Sequence, residues 1–222
     1  MITWDNIDTV LLDMDGTLLD LHFDNFFWTE HVPRVYASSN ELSEQQTRQH
    51  LHRLFGSRQG TLDWYSLDYW SDQLELDLAA LKTELRHMIK IRPHTEQFLR
   101  SLSDSPMEVL LVTNAHRKTL DIKMDTVPLS QWFDKLVVSH ELDAPKEEQA
   151  FWRSLQQLHP FDPKRTLLID DTEKVLQAAQ EFGIAHLLTL LQPDSTVQKR
   201  IDTQFRGIHH FDEIMEGIPQ KG

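Results

Sequence analysis

Leu11-Leu12-Asp13-Met14-Asp15-Gly16-Thr17-Leu18 decides the fold: an apolar run ends in two carboxylates two residues apart, with glycine and threonine directly after. In extended chain, residues two apart share a face, and a turn at Gly16 brings both carboxylates toward one point. With Thr9 and Val10 in front, the run is continuous and rich in Leu and β-branched residues, as suits a strand buried on both faces. Taken alone, the stretch also fits a strand that ends in an acidic turn, so the rest of the chain must decide.

Working outward, similar short runs recur at Val109-Leu110-Leu111-Val112, Leu136-Val137-Val138, Thr166-Leu167-Leu168-Ile169 and Leu187-Leu188-Thr189-Leu190. Between the later runs lie segments with helical spacing, at about 94 to 104, 116 to 125, 146 to 158 and 172 to 182. Strand alternating with helix predicts an α/β fold with a Rossmann-like parallel sheet and right-handed crossovers. The interval from Leu21 to Lys90 breaks the rhythm, with helical patterns and no convincing strand. Asn40 or Ser43 caps one expected helix, ending near Gly56, and Asp77 caps another running through Ala80, Leu81, Leu85 and Met88. The expected organisation is a core domain of residues 1–20 and 91–222, with a helical cap domain of residues 21–90 over the carboxyl edge of the sheet, where α/β proteins bind ligands.

Three further strand ends carry polar groups. Val112-Thr113-Asn114 supplies a hydroxyl and an amide, Pro145-Lys146-Glu147 a cation, and Ile169-Asp170-Asp171-Thr172 two more carboxylates. Each has a plain structural alternative: a turn or cap at Thr113-Asn114, a first-turn surface lysine at Lys146, a helix cap at Asp170-Asp171. In a parallel sheet, however, all these ends lie on one edge. Carboxylates gathered there raise one another's pKa unless a cation neutralises them, so Asp13, Asp170 and Asp171 call for a hard divalent ion bound through oxygen, for which magnesium (Mg2+) is the natural choice. Asp13 can then attack phosphorus in line and form a phosphoaspartate. Asp15 manages the protons, and Asp15, Gly16, Thr113, Asn114 and Lys146 form the candidate phosphate-binding set.

Charge and composition narrow the partners. A net charge of −13 disfavours nucleic acid, whose binding relies on clustered Lys and Arg. The absence of cysteine excludes thiol catalysis and thiolate metal sites. Twelve histidines include no His-Glu-x-x-His pattern, and no Gly-x-x-x-x-Gly-Lys loop occurs. The start Met1-Ile2-Thr3-Trp4-Asp5 and the lack of a long apolar stretch lead us to expect a soluble cytoplasmic protein with no membrane partner. The pattern offers no rule for oligomeric state.

At these residues the chain resembles the haloacid dehalogenase-like (HAD) hydrolase superfamily, with all four motifs in order: Asp13-Met14-Asp15-Gly16-Thr17, Thr113, Lys146 after Pro145, and Asp170-Asp171. The resemblance implies Asp13 as nucleophile, Asp15 as acid/base, Thr113 and Lys146 as phosphate binders, and Asp13, the Asp15 carbonyl and Asp170 or Asp171 as metal ligands. Asp171-Thr172 stands where many relatives have Asp-Ser, and Val175 replaces a later acid, so the choice between Asp170 and Asp171 stays open. Dehalogenases lack the second acid, so Asp15 argues against that reaction. A narrower likeness, carried by Val10 to Leu21, by Trp64-Tyr65 and Leu67-Asp68-Tyr69-Trp70-Ser71, and by Thr113-Asn114-Ala115-His116, is to the bacterial GMP/IMP 5'-nucleotidase group. It implies hydrolysis of purine nucleoside monophosphates. The alternatives are a phosphatase of sugar phosphates or other small metabolites, a phosphomutase, and a catalytically silent regulatory binding protein. The aromatics at 64, 65, 69 and 70 either stack on a base or pack between helices.

Overall fold

A computed structural model describes residues 2–221. Its sheet is built from β1 (Thr9–Leu12), β2 (Glu108–Thr113), β3 (Lys135–Val138), β4 (Thr166–Ile169), β5 (His186–Leu190) and β6 (Gly207–Ile208), in the spatial order β3-β2-β1-β4-β5-β6. Every pairing is parallel. β1 lies between β2 and β4, in the register Leu12↔Leu111 and Leu12↔Ile169. The five apolar runs in the sequence are therefore β1 to β5. β6, a two-residue strand at Gly207-Ile208, carries no run long enough to read.

The continuous apolar runs have a direct packing cause. Alternate residues of a strand point to opposite faces, and here both faces are covered. Val10, Leu12, Val109, Leu111, Leu167 and Ile169 pack into one apolar layer, with Phe98, Leu99 and Leu102 of α7 (Thr95–Ser103) and Leu120 of α8 (Arg117–Thr126). Leu11, Leu110, Val112 and Leu168 pack into the other. It is closed by Phe151, Trp152 and Leu155 of α9 (Gln149–Leu158) and by Val175, Leu176 and Ala179 of α10 (Glu173–Phe182).

Between β1 and β2 the chain forms α1 (His22–Phe26), a π-helical turn over Phe27–His31, α2 (Val32–Ser39), α3 (Glu44–Gly56), α4 (Leu62–Tyr65), α5 (Leu67–Leu74) and α6 (Leu78–Glu84). These helices share their own apolar cluster of Phe27, Val32, Leu51, Leu67, Trp70, Leu74 and Leu78. Ser43 caps α3 in a capping box with Gln46. Asp77 caps α6, accepting from Ala80 N, but the helix stops at Glu84 rather than continuing to Met88. Leu85 is its C-terminal cap, and Arg86–Met88 is a separate 3-10 turn. The segment enters and leaves the sheet along adjacent paths: Asp20 N donates to Lys90 O (2.9 Å) and Arg92 N to Leu18 O (3.0 Å). No helix among the described residues is long and apolar enough to cross a membrane.

Leu168 is fully buried in β4, beside β1. Leu168→Ala is expected to destabilise the protein by roughly 2–5 kcal/mol through lost apolar burial and the remaining cavity, read as a lower urea midpoint with the same slope.

Candidate active site

Strand ends and the turns after them place every sequence-identified site residue at the carboxyl edge of the sheet. Asp13 directly follows β1, and its N–H extends the ladder to Ile169 O (3.0 Å). Thr113 is the last residue of β2, while Asp170 follows β4 and donates from its backbone to Leu188 O (3.2 Å). Lys146 lies beyond β3 and the 3-10 turn Ser139–Leu142.

The buried Lys146 ammonium joins three of these segments. It donates to Asp13 Oδ1 (2.6 Å), Asp170 Oδ2 (2.6 Å) and Val112 O (3.1 Å). Its backbone is fixed in turn by Asn114 Oδ1, which accepts from Lys146 N (2.9 Å), and by Trp152 Nε1, which donates to Lys146 O (2.8 Å). Asn114 Nδ2 donates to Glu147 Oε2 (2.9 Å), and the Tyr65 hydroxyl donates to the other oxygen of Glu147. Thr113 Oγ1 accepts from Ala115 N (3.0 Å), which orients the hydroxyl. Asn114 therefore acts here on Lys146 and Glu147, beside the Tyr65 hydroxyl.

Gly16 permits the closest approach in the site. It adopts φ +81°, and an added Cβ would fall 2.7 Å from Asp171 Cγ and 2.8 Å from its Oδ2. Only a residue without a side chain lets the first acidic turn and Asp171 meet.

Oxygens of Asp13, Asp170 and Asp171 lie within 4.8 Å of one another. Lys146 alone among the buried groups balances them, leaving two negative charges over; Arg200, nearer the solvent, stands 3.7 Å from Asp171 Oδ2 and donates to Asp171 O. Asp13 Oδ2 is buried without a hydrogen-bond partner. Asp170 is better satisfied: Oδ2 binds Lys146, and Oδ1 accepts from Thr172 N (2.9 Å). An unpartnered buried carboxylate oxygen and a surplus of two charges fit a hard divalent cation.

Electrostatics agree. Burial pushes the Asp13 carboxyl up to about 6, Lys146 opposing and Asp170 reinforcing the shift. Burial, then Asp13 and Asp170, pushes Asp171 well above the carboxylate range. Burial also carries Asp15 up to about 6 against the pull of Lys123.

Sequence reasoning missed several residues. Lys123 of α8 donates to both Asp15 Oδ1 and Asp24 Oδ2, and Lys82 of α6 donates to Asp24 Oδ1 (2.6 Å). Each lysine occupies a core-facing position, beside Thr119 and Leu120 in α8 and beside Leu78 in α6. A lone cation on an apolar helix face was the available signal. Tyr65 stands in the sequence as one of four clustered aromatics. Of those, Trp70 is buried in the helical cluster at the border of the cavity, and Tyr65 reaches Glu147.

The site opens into a cavity of about 430 Å³. Asp13, Asp15, Lys146 and Asp171 line it, together with the aromatic side chains of Trp28, Phe55, Trp64 and Tyr65.

Comparisons with known proteins bear on this geometry. Residues 10–189 match the sequence profile of the haloacid dehalogenase-like hydrolases. The chain is 41% identical over 199 residues to the GMP/IMP nucleotidase YrfG of Escherichia coli, covering 90% of each. It is 24% identical to a mitochondrial (DL)-glycerol-3-phosphatase 1 of Arabidopsis thaliana, over 87% of this chain and 66% of the relative. Its fold is similar to a HAD phosphatase from Thermococcus onnurineus, with a TM-score of 0.79, 18% identity and coverage of 97% and 100% of the two chains.

The raised carboxyls set a pH dependence of stability. Between 3.8 and about 6 the folded protein holds protons on Asp13 and Asp15 that the unfolded chain releases, so unfolding liberates protons and stability falls as pH rises through that window. Asp24 works the opposite way: burial alone would raise it, but Lys123 and Lys82 hold it at about 2, so its contribution is lost only as pH falls below 3.8. Melting in a chelator is expected to show the decline across the higher window, and added magnesium is expected to flatten it.

Proposed function

The chain belongs to the haloacid dehalogenase-like hydrolase family, and from that membership we propose that it is a magnesium-dependent 5'-nucleotidase that hydrolyses GMP and IMP through an aspartyl-phosphate on Asp13. The observation that carries this reading is one cavity lined by both charged and aromatic side chains. A phosphate monoester needs the charged groups, and a flat purine suits the aromatic rings. The 41% identity to a GMP/IMP nucleotidase over nearly the whole chain supports the same substrate class. Helices α1 to α6, with the π-helical turn between α1 and α2, act as a cap domain over the core, since Trp28, Phe55, Trp64 and Tyr65 all come from this segment.

The residues divide the work as follows. Lys146, fixed from both sides, holds one Asp13 oxygen and leaves the other without a protein partner in a residue that lines the cavity. Asp13 attacks phosphorus as the bond to the ribose oxygen breaks, and Asp15 gives its proton to that departing oxygen. Asp15 then removes a proton from a water molecule, whose oxygen attacks the same phosphorus and frees the Asp13 carboxylate. A carboxyl raised to about 6 suits both transfers near neutral pH. Thr113, backbone N–H groups of the Asp15-Gly16 turn and Lys146 hold the phosphoryl oxygens. Magnesium would be held by the Asp13 and Asp171 carboxylates and the Asp15 carbonyl, and would supply charge neutralisation and polarisation of the phosphoryl group. We assign the direct contact to Asp171 because both Asp170 oxygens are already engaged by Lys146 and Thr172.

Asp13→Asn is nearly isosteric and is expected to fold while losing turnover; retained turnover overturns the nucleophile. Among phosphate monoesters, GMP and IMP are expected to lead pyrimidine nucleotides and sugar phosphates in kcat/KM. Equal rates on sugar phosphates would remove the purine assignment and leave the phosphatase. A chelator is expected to abolish turnover, with magnesium restoring it.

A further inference from the structure

We propose that Lys123 is a positioning residue for Asp15, braced by Asp24 and Lys82, so that cap helices aim the carboxyl that handles the protons. The proposal rests on the acid/base reading of Asp15. Lys123 Nζ bridges Asp15 Oδ1 and Asp24 Oδ2, and Lys82 Nζ holds Asp24 Oδ1 at 2.6 Å. The four groups alternate in sign from the first acidic turn through α8 and α1 to α6, so the line is neutral when all are ionised. Both ammoniums are almost wholly enclosed, with 1% and 2% of their side chains exposed. Their surroundings are aromatic: Lys82 lies 5.0 Å from the centre of the Phe23 ring and 4.8 Å from that of Phe27, and Lys123 lies 5.4 Å from Phe23. A buried ammonium stays charged in such a place only through its ionic partners.

Packing alone would be served by the Lys82–Asp24 pair. Lys123 does something more, because its hydrogen bond is the only one to the Asp15 side chain among the described residues. With Oδ1 tethered, Asp15 Oδ2 carries no partner among the described residues and the residue lines the cavity, leaving Oδ2 to give the proton to the departing oxygen. Without Lys123, rotation about the Asp15 side chain is unrestrained, and general acid catalysis fails for want of geometry.

The test compares leaving groups. Full-length wild type, Lys123→Met, Lys82→Met and Asp15→Asn are assayed with magnesium on GMP and on phenyl phosphates substituted up to 4-nitro. The ratio kcat/KM reports steps up to departure of the leaving group. A poor leaving group needs the proton, and 4-nitrophenolate does not. Asp15→Asn and Lys123→Met are expected to lose about 10²–10⁴-fold on GMP and to steepen the dependence on leaving-group basicity, with 4-nitrophenyl phosphate the least affected. A parallel loss on every substrate in Lys123→Met, with Asp15→Asn still selective, overturns the positioning role and leaves Asp15 as the acid. An unselective Asp15→Asn overturns the acid reading itself. If Lys123→Met fails to fold, Lys82→Met decides: it keeps the contact between Lys123 and Asp15 and removes the outer brace, so a weaker selective loss supports the proposal, and a parallel loss or none overturns it.

Discussion

Like charges cannot be gathered in a protein interior without cations, and most of this structure follows from that constraint. Asp13, Asp15, Asp24, Asp170 and Asp171 converge at one edge of the sheet, where Lys146, Lys123 and Lys82 are buried among them. Each lysine must be held by rigid neighbours, because a buried ammonium that loses its partner is severely destabilising. Lys146 is therefore anchored by Asn114 and Trp152 as well as by two carboxylates. The sheet supplies the rigidity, since its strands are packed on both faces and their ends have nowhere to shift.

The sequence exposed the sheet and the strand ends because both are written in local pattern. An apolar run such as Thr9 to Leu12 is legible without knowing its neighbours, and so is a carboxylate that directly follows it. Lys123 and Lys82 were not legible in that way. Each sits among apolar residues on a helix, and its partner lies far along the chain: Asp24 is 99 residues from Lys123 and 58 from Lys82. The end of α6 was misplaced for a similar reason. The periodicity of Leu81, Leu85 and Met88 continues past Glu84, while tertiary packing turns the chain at Leu85 into a 3-10 segment.

The aromatic residues of the intervening helices show how one composition serves two ends. Phe55 stands edge-on to Trp28 and Trp70, with ring centres 5.6 and 4.8 Å apart, so these rings brace one another into a stiff wall. Trp70 is the most deeply buried of them, and it borders the cavity together with Trp28, Phe55 and Trp64. Sequence spacing alone did not separate support from surface, because both roles use the same residue types.

The adjacent paths at Leu18–Asp20 and Lys90–Arg92 have a consequence for the inserted segment. A segment whose two ends are already joined by hydrogen bonds is, from the viewpoint of the sheet, a long decoration on a closed turn. Its length enters the loop-closure entropy only logarithmically. The length and content of the block can thus vary at little cost to the closure of the turn, while the charged edge of the sheet keeps its geometry.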